Sequence, residues 1–210
     1  LAKPMKHDEW IAHIKTLGGE RKYVEPAKGT VNPRVFIDRL AKKMPANVTV
    51  VADVGQNQIW TCTEYKFRKE GRLLTSGGMG TMGYSVPAAI GAKMADNSRA
   101  TVAICGDGAF QMSFMELATA VQFGVDIKVV VMTNNRLGMV RELQTNGYHD
   151  RQTAVFLDGS PDFIKLAEAY GIPAMRVYDD DTMEKGVKML AEHKGICLVE
   201  VVVDKDMPTL

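Results

Sequence analysis

Short, continuous runs of apolar residues constrain the fold of this chain more than any other feature. The clearest runs are Val48–Ala52, Thr101–Cys105, Ile127–Thr133 and Ile196–Val203. Polar residues do not alternate with apolar ones inside them, which is typical of strands that are buried on both faces. Strands of that kind occur in parallel sheets covered by helices. The runs therefore predict a parallel sheet in the interior of the domain.

Helical patterns separate these runs. The predicted helices are Arg34–Lys43 with Pro33 at its first turn, Ser85–Met94, Gln111–Phe123, Pro161–Tyr170 with Pro161 at its first turn, and Asp181–His193. Arg72–Thr75 and Ala174–Val177 are weaker strand candidates. Alternation of strand and helix predicts the α/β class, with a doubly wound, mostly parallel sheet of about six strands and helices on both faces.

The length of 210 residues fits one domain, or one domain with an appendage. Residues 1–30 are rich in Lys, Glu, Gly and Pro, with one short amphipathic stretch around Trp10, Ile11 and Ile14. We interpret residues 1–30 as a linker or tail from a preceding domain, packed on the surface, and residues 31–210 as the binding domain. The first residue is Leu1, so we expect a processed chain or a piece of a longer one.

Composition excludes several classes of function. Lys and Arg number 26 against 25 Asp and Glu, so bulk charge does not favour nucleic acid as a partner. No apolar run reaches the length of a membrane span, and the N-terminus does not resemble a signal peptide. Three cysteines without CxxC spacing suggest neither disulfides nor a zinc site. We expect a cytoplasmic protein that does not bind membranes. The acidic run Asp179–Asp181 is interpreted as helix capping.

Small, polar, glycine-bearing segments follow three of the predicted strands. They are Asp53–Gln58, Gly106–Phe110 and Asn134–Val140. In doubly wound folds, ligands bind outside the carboxyl ends of the strands. Glycine allows the backbone to approach a ligand closely, and helix N-termini favour anions. These three segments are the predicted binding site.

Asp107 and Asn134 are the candidate metal ligands. Asp107 lies between two glycines at a strand end, and Asn134 follows 27 residues later at the end of the next strand. Neighbouring parallel strands would place this carboxylate and this amide oxygen side by side. Hard oxygen ligands suit Mg²⁺, which often completes its coordination with substrate phosphates and water. The alternative is that Gly106-Asp107-Gly108 is only a turn before a helix.

Two other hypotheses remain open at this point. Gly78–Gly83 fits the GxGxxG pattern of dinucleotide-binding domains, and Asp107 lies 24 residues after Gly83, where a ribose-binding acid would be expected. An NAD-dependent dehydrogenase domain is therefore one alternative. A degenerate domain that serves only assembly is another, although the presence of both Asp107 and Asn134 argues against an idle site.

Gly106-Asp107-Gly108 with a closing Asn134 resembles the C-terminal, diphosphate-binding domain of thiamine-diphosphate enzymes. Further blocks resemble the acetolactate synthase (acetohydroxyacid synthase) large subunit, over about residues 8–205. These blocks are Asp53–Gln56, Thr75–Gly83, Pro87–Gly91, Glu116–Ala120, Gly138–Arg141 and Asp162–Gly171. The family commonly has His at the position of Asn57 and a second Asn at the position of Thr133.

The resemblance implies a set of site residues. Mg²⁺ would be held by the side chains of Asp107 and Asn134, the backbone carbonyl of Arg136, two diphosphate oxygens and one water. Met82 would lie beneath the cofactor and force its two rings into a bent conformation. The whole predicted cofactor site consists of Gly55, Gln56, Asn57, Gly80, Met82, Gly106, Asp107, Gly108, Ala109, Asn134, Arg136, Gly138, Met139 and Val140.

The resemblance also implies an activity. The cofactor would decarboxylate pyruvate and condense it with a second 2-keto acid to give acetolactate, in branched-chain amino acid synthesis or an acetoin route. Another carboligase, such as glyoxylate carboligase, is an alternative. The activating Glu belongs to an N-terminal domain outside this chain, so no catalytic residue is expected here and the fragment should be inactive alone. Expected partners are the missing N-terminal and middle domains, a second copy in a homodimer or homotetramer, and a small regulatory subunit. FAD is a further cofactor left open for the full-length enzyme.

Overall fold

A computed structural model of the chain describes residues 6–17 and 23–210. Six strands form one sheet: β1 (Thr49–Ala52), β2 (Arg72–Thr75), β3 (Thr101–Gly106), β4 (Lys128–Thr133), β5 (Ala174–Val177) and β6 (Cys197–Val202). Their order is β2-β1-β3-β4-β6-β5, and every pair of neighbours is parallel. The predicted doubly wound α/β fold is confirmed, with a sheet that is parallel throughout.

The described part of the chain also contains helices, most of which cover the two faces of the sheet. They are α1 (Asp8–Leu17), α2 (Pro33–Lys43), α3 (Gln56–Glu64), α4 (Ser85–Ala95), α5 (Asp107–Gln111), α6 (Leu117–Gln122), α7 (Gly138–Gly147), α8 (Phe163–Ala169) and α9 (Asp180–Glu192). Helices α2, α3 and α9 contribute to the core on one face, and α4, α5, α6 and α8 to the core on the other. Val50 packs on the first side and Val51 on the second, which explains why the strands are apolar throughout.

Two predicted helices differ from the structure. The predicted helix Gln111–Phe123 is interrupted: α5 ends at Gln111, a short 3₁₀ turn covers Phe114–Glu116, and α6 begins at Leu117. Ser113 leaves the helical region, with φ −144° and ψ 9°. The other helix begins at Phe163, after Pro161, because the Asp162 side chain accepts hydrogen bonds from the backbone N–H groups of the first turn.

The three segments of the predicted binding site each run into a helix that the sequence did not predict at that point: α3 begins at Gln56, α5 at Asp107 and α7 at Gly138. The capping interpretation of Asp179 is confirmed. Its side chain accepts from the backbone N–H of Thr182 at 2.8 Å, and the threonine hydroxyl accepts from the backbone N–H of Asp179.

The expected tail is only partly described, because residues 1–5 and 18–22 lie outside the described residues. The amphipathic stretch forms α1, but no residue of this helix is buried, and Trp10 is 63% exposed. This helix therefore shows no buried contact with the domain. Residues nearer the domain do make contacts, since the Asn32 side chain donates to the carbonyl of Val24 at 2.9 Å. The proposed boundary at residue 30 stays a prediction.

Within the described ranges, every helix is too short or too polar to cross a bilayer. All three cysteines are free thiols, and Cys105 and Cys197 are buried in the core.

Candidate functional site

One cavity of about 210 Å³ lies at the carboxyl ends of β1, β3 and β4. The strand order reverses here, because the chain continues from β1 to β2 on one side and from β3 to β4 on the other. This is the position where doubly wound folds bind ligands. All predicted cofactor-binding residues except Gly80 line this cavity: Gly55, Gln56, Asn57, Met82, Gly106, Asp107, Gly108, Ala109, Asn134, Arg136, Gly138, Met139 and Val140.

Gly80 is not among the residues that line this cavity, and its role in cofactor binding stays a prediction. It is exposed, with φ +64°, and its N–H donates to the carbonyl of Ser76 at 3.0 Å. A positive φ is easily adopted by glycine, so Gly80 serves a turn. Of the Gly78–Gly83 loop, Met82 alone reaches the cavity lining.

Asp107 is a buried carboxylate held by backbone groups. Only 1% of its surface is exposed. Oδ1 accepts from the N–H of Gly108 at 2.8 Å, while Oδ2 accepts from the N–H groups of Asn134 at 3.1 Å and Asn135 at 2.6 Å. A carboxylate offers about four lone-pair sites, so these three bonds leave about one for a ligand. Burial raises the pKa of Asp107 to about 6, because the carboxylate loses hydration there. A cation in the cavity would offset that loss.

Asn134 lies beside this carboxylate, as the strand positions predicted. Its Oδ1 accepts from the backbone N–H of Arg136 at 3.0 Å, which leaves a second lone pair on the same oxygen. Its Nδ2 donates to Oε1 of Gln56 at 3.2 Å. The neighbouring Asn135 has φ +54° and does not line the cavity. Asn134, rather than Asn135, is therefore the candidate ligand.

Two helix N-termini face the cavity without a side-chain cap. Helices α3 and α7 begin at Gln56 and Gly138, which both line it, and neither helix has a side chain that caps its first turn. Among the other helices, α2, α8 and α9 are capped by Asn32, Asp162 and Asp179, whereas the N-cap residues of α4, α5 and α6 provide no side-chain cap. Free N–H groups at a helix N-terminus attract anions. An anionic ligand in the cavity could therefore bind the free N–H groups of α3 and α7.

The side chains that follow β1 point away from this anion position. Nδ2 of Asn57 donates to the carbonyls of Asp53 at 2.9 Å and Ile104 at 3.2 Å. Nε2 of Gln56 donates to the carbonyl of Met207 at 2.9 Å. Contacts from this segment to a diphosphate would therefore come from backbone N–H groups rather than from these side-chain amides.

The carboxylate of Asp53 fixes the position of the glycine-rich loop, Gly78–Gly83, by hydrogen bonds. The sequence analysis did not predict this role. It is fully buried, and Oδ2 accepts from the N–H of Ser85 at 2.7 Å, while Oδ1 accepts from the N–H of Gly83 at 3.0 Å. These bonds attach the end of the loop and the first turn of α4 to the end of β1. Met82 is positioned over Gly108 in this way: a Cβ on Gly108 would lie 3.3 Å from the Met82 methyl carbon and 2.8 Å from Leu137. Glycine at position 108 keeps that side of the cavity open.

Trp60 is a second residue of the site that the sequence analysis did not identify. It lines the cavity, and its Nε1 donates to the carbonyl of Pro208 at 3.1 Å. Trp60 follows Gln56 by four residues on α3, and residues at this spacing share one helix face. Recognition of α3 as a helix would have placed Trp60 at the site.

Comparison with known proteins agrees with this geometry. The family model for the thiamine pyrophosphate enzyme C-terminal TPP binding domain matches residues 53–201, which include β2 through β5, most of β6 and every residue that lines the cavity. The chain belongs to the thiamine pyrophosphate enzymes. Thiamine pyrophosphate is the thiamine diphosphate of the sequence analysis, so the predicted family is confirmed.

Within this family, the chain is similar to proteins that are named acetolactate synthases. The chain is 39% identical over 199 residues to the acetolactate synthase large subunit of Lactococcus lactis, covering 94% of this chain and 34% of that protein. It is 37% identical over 214 residues to the mitochondrial acetolactate synthase catalytic subunit of Saccharomyces cerevisiae, covering 99% and 31%. It is 33% identical over 207 residues to the acetolactate synthase isozyme 2 large subunit of Escherichia coli, covering 98% of this chain and 38% of that protein. The chain spans about a third of the length of these relatives.

The dinucleotide alternative gains no support from these findings. Asp107, its proposed ribose ligand, is buried, and its carboxylate accepts from the backbone N–H groups of Gly108 in α5 and of Asn134 after β4. The GxGxxG segment contributes Met82 to the cavity, and none of its glycines lines it. A thiamine pyrophosphate enzyme accounts for the family match and for the buried carboxylate together.

Proposed function

We propose that this chain is the diphosphate- and Mg²⁺-binding domain of a thiamine-diphosphate carboligase that converts pyruvate and a second 2-keto acid to acetolactate. Each relative described above is named an acetolactate synthase. The observation that carries the proposal is the cavity itself, where a buried carboxylate lies beside an amide oxygen and two uncapped helix N-termini. This arrangement suits a cation bound to an anionic group.

The donor set fits Mg²⁺. Asp107 and Asn134 each keep an oxygen lone pair, and Arg136 lines the same cavity. Among the described residues, no three His, Cys, Asp or Glu side chains are grouped as an all-protein metal centre. Mg²⁺ commonly binds through one or two protein carboxylates and completes its shell with phosphate oxygens and water. The side chains of Asp107 and Asn134 with the carbonyl of Arg136 would hold it in that manner.

The remaining lining residues would bind and shield the organic part of the cofactor. When bound, thiamine diphosphate supplies the carbon nucleophile for decarboxylation and condensation. The N-termini of α3 and α7 would bind its diphosphate. Met82, Met139 and Val140 would pack against its rings and exclude water from them.

The site requires more protein than this chain contains. Met139 and Val140 are 40% and 44% exposed, and Met79 on the glycine-rich loop is 90% exposed. Such apolar surface at the mouth of a cavity is typical of an interface. We propose that the missing N-terminal and middle domains supply the activating Glu, and that a homodimer or homotetramer covers this surface. The fragment alone would then be inactive. A cytoplasmic location, a small regulatory subunit and FAD in the full-length enzyme belong to the same proposal.

A calorimetric titration of the chain with thiamine diphosphate and Mg²⁺ tests the binding proposal. We expect heat of binding only when both are present. Asp107→Asn should weaken the affinity at least about 10-fold, because loss of a direct ligand costs no less than loss of an outer-shell partner. Asp181→Asn, a change of an exposed carboxylate on α9, is the matched control and should bind as wild type.

Two outcomes would overturn the proposal. Binding of NAD⁺ in place of thiamine diphosphate would favour a dinucleotide domain, and equal affinity in Asp107→Asn would remove the metal ligand. The proposed inactivity has its own test, an acetolactate colour assay on the isolated chain. Robust turnover there would show that no further domain is needed.

A further inference from the structure

Residues near the C-terminal end of the chain pack against the wall of the cavity, although they are distant in sequence from the residues that form that wall. Residues 204–209, the C-terminal strap, follow β6 and contact α2 and α3 through their backbone carbonyls. Nε2 of Gln56 donates to Met207 O at 2.9 Å, Nε1 of Trp60 donates to Pro208 O at 3.1 Å, and Nη2 of Arg34 donates to Thr209 O at 2.7 Å. Three consecutive carbonyls are therefore held by three side chains. Two of these, Gln56 and Trp60, line the cavity.

Glu142 on α7 fixes the end of the strap. Its carboxylate accepts from the backbone N–H of Thr209 at 3.2 Å and from the hydroxyl of the same residue. Because that hydroxyl donates to Glu142, its oxygen is free to accept from Nε2 of Gln56, at 3.1 Å. The carboxylate also lies 3.3 Å from Nε2 of Gln56. The nitrogen side of the Gln56 amide is thus surrounded by acceptors.

This environment determines which way the Gln56 amide points. Gln56 is only 4% exposed, so water does not compete for these groups. With its nitrogen toward the strap, its oxygen faces Asn134 and accepts from Nδ2 of that residue at 3.2 Å. A reversed Gln56 amide would place its oxygen among acceptors and its nitrogen against the Asn134 nitrogen. Gln56 thereby engages the nitrogen of Asn134, while the Asn134 oxygen accepts from the backbone N–H of Arg136 and keeps its second lone pair for a cation.

We propose that the C-terminal strap is a positioning element of the metal site. Through Thr209 and Gln56 it holds the Asn134 amide with the oxygen, rather than the nitrogen, available to Mg²⁺. The strap touches neither the metal nor the diphosphate in this scheme. The proposal rests on the proposed function for the identity of the ligand, whereas the orientation of the two amides is a property of the ligand-free chain.

Thr209→Val tests the relay, with Thr209→Ser as the matched control that keeps the hydroxyl. The first measurement needs no ligand. In a ¹⁵N-resolved NMR spectrum of the folded chain, we expect the side-chain NH₂ signals of Asn134 to shift or broaden in Thr209→Val and to stay unchanged in Thr209→Ser. Unchanged Asn134 signals in both variants would overturn the relay.

The second measurement is Mg²⁺ affinity in the presence of thiamine diphosphate. We expect Thr209→Val to weaken Mg²⁺ binding about fivefold, the effect of one lost hydrogen bond, and Thr209→Ser to stay within about twofold of wild type. Fluorescence of Trp60 reports the strap independently, because replacing Trp10 by Phe leaves Trp60 as the single tryptophan. An unchanged Trp60 spectrum would show that the strap is still docked in Thr209→Val.

The outcomes separate the two proposals. Wild-type binding with equal affinity in Thr209→Val would overturn the strap proposal and leave the proposed function standing. Absence of Mg²⁺-dependent binding in wild type would overturn the proposed function, and the role of the strap in metal binding with it. If Thr209→Val lowers stability too far, a chain that ends after Asp206 removes the same contacts. Wild-type affinity in that truncated chain would equally refute the strap proposal.

Discussion

Replacing Gly138 by alanine should displace Gln56 from its place in the site. A Cβ at position 138 would lie 1.9 Å from Oε1 of Gln56 and 2.6 Å from its Cδ, far inside van der Waals contact. The side chain of Gln56 would have to move. It would lose its bonds to the carbonyl of Met207 and the hydroxyl of Thr209, and its acceptor bond from Asn134.

The cost follows from the number of bonds. Two N–H donors and one acceptor of the Gln56 amide are paired, and a typical hydrogen bond contributes about 1 kcal/mol net, so we expect a loss of about 3 kcal/mol in the free energy of unfolding. For a domain of this size that lowers the melting temperature by about 6–12 °C. Urea denaturation and calorimetric melting would measure the two quantities.

A double-mutant cycle with Gln56→Ala tests the cause. Once the Gln56 side chain is absent, Gly138→Ala has nothing to displace, and its additional cost should fall below about 0.5 kcal/mol. Gly91→Ala is the control in α4, where an added Cβ meets no atom within 4 Å. It should stabilise the chain by about 0.5–1 kcal/mol, because alanine is the better helix former. An equal cost of Gly138→Ala with and without the Gln56 side chain would refute the steric argument.

Three further substitutions test other parts of the structure. Asp53→Asn replaces an acceptor of the buried Ser85 N–H by a donor, so we expect a loss of about 2–3 kcal/mol in urea denaturation, and a change below about 0.5 kcal/mol would contradict this role. Gly186→Ala places a Cβ 2.6 Å from a methyl of Val177 and should cost about 1–3 kcal/mol; adding Val177→Ala should recover part of it, and no recovery would exclude the clash. Asp179→Ala removes the α9 cap at a cost of about 1 kcal/mol, visible as a lower melting temperature, and an unchanged melting temperature would argue against the capping box.

The sheet could be predicted because its signal is local. Residues such as Val50 and Val51 must both be apolar when helices cover both faces of a strand, and that requirement is visible in five consecutive residues. The break at Ser113 could not be predicted in this way. The periodicity of apolar residues continues from Phe110 to Leu117, although the backbone between them leaves the helix.

The part of the site that lies at the strand ends could be predicted from the sequence. Asp107 and Asn134 follow adjacent parallel strands, so their proximity follows from the fold. The orientation of the neighbouring side chains, such as Gln56, does not follow from the fold class. Gln56 meets Thr209 across 153 residues of sequence, and no motif marks the strap. Gly80 was assigned to the site by the resemblance alone; it does not line the cavity, so its role stays a prediction.

The contact between Gln56 and Met207 also sets an order of events during synthesis. The two residues are separated by 151 positions, and ribosomes add about 5–20 residues per second, so roughly 8–30 s pass between them. Helix α3 emerges before the segments that follow β3 and β4, and these emerge well before the strap. During that interval a nascent chain can form most of the sheet while the Gln56 amide has no fixed partner on its nitrogen side. The cavity wall is completed last, so a chain released early would carry all three strand-end segments and still lack the group that orients Asn134.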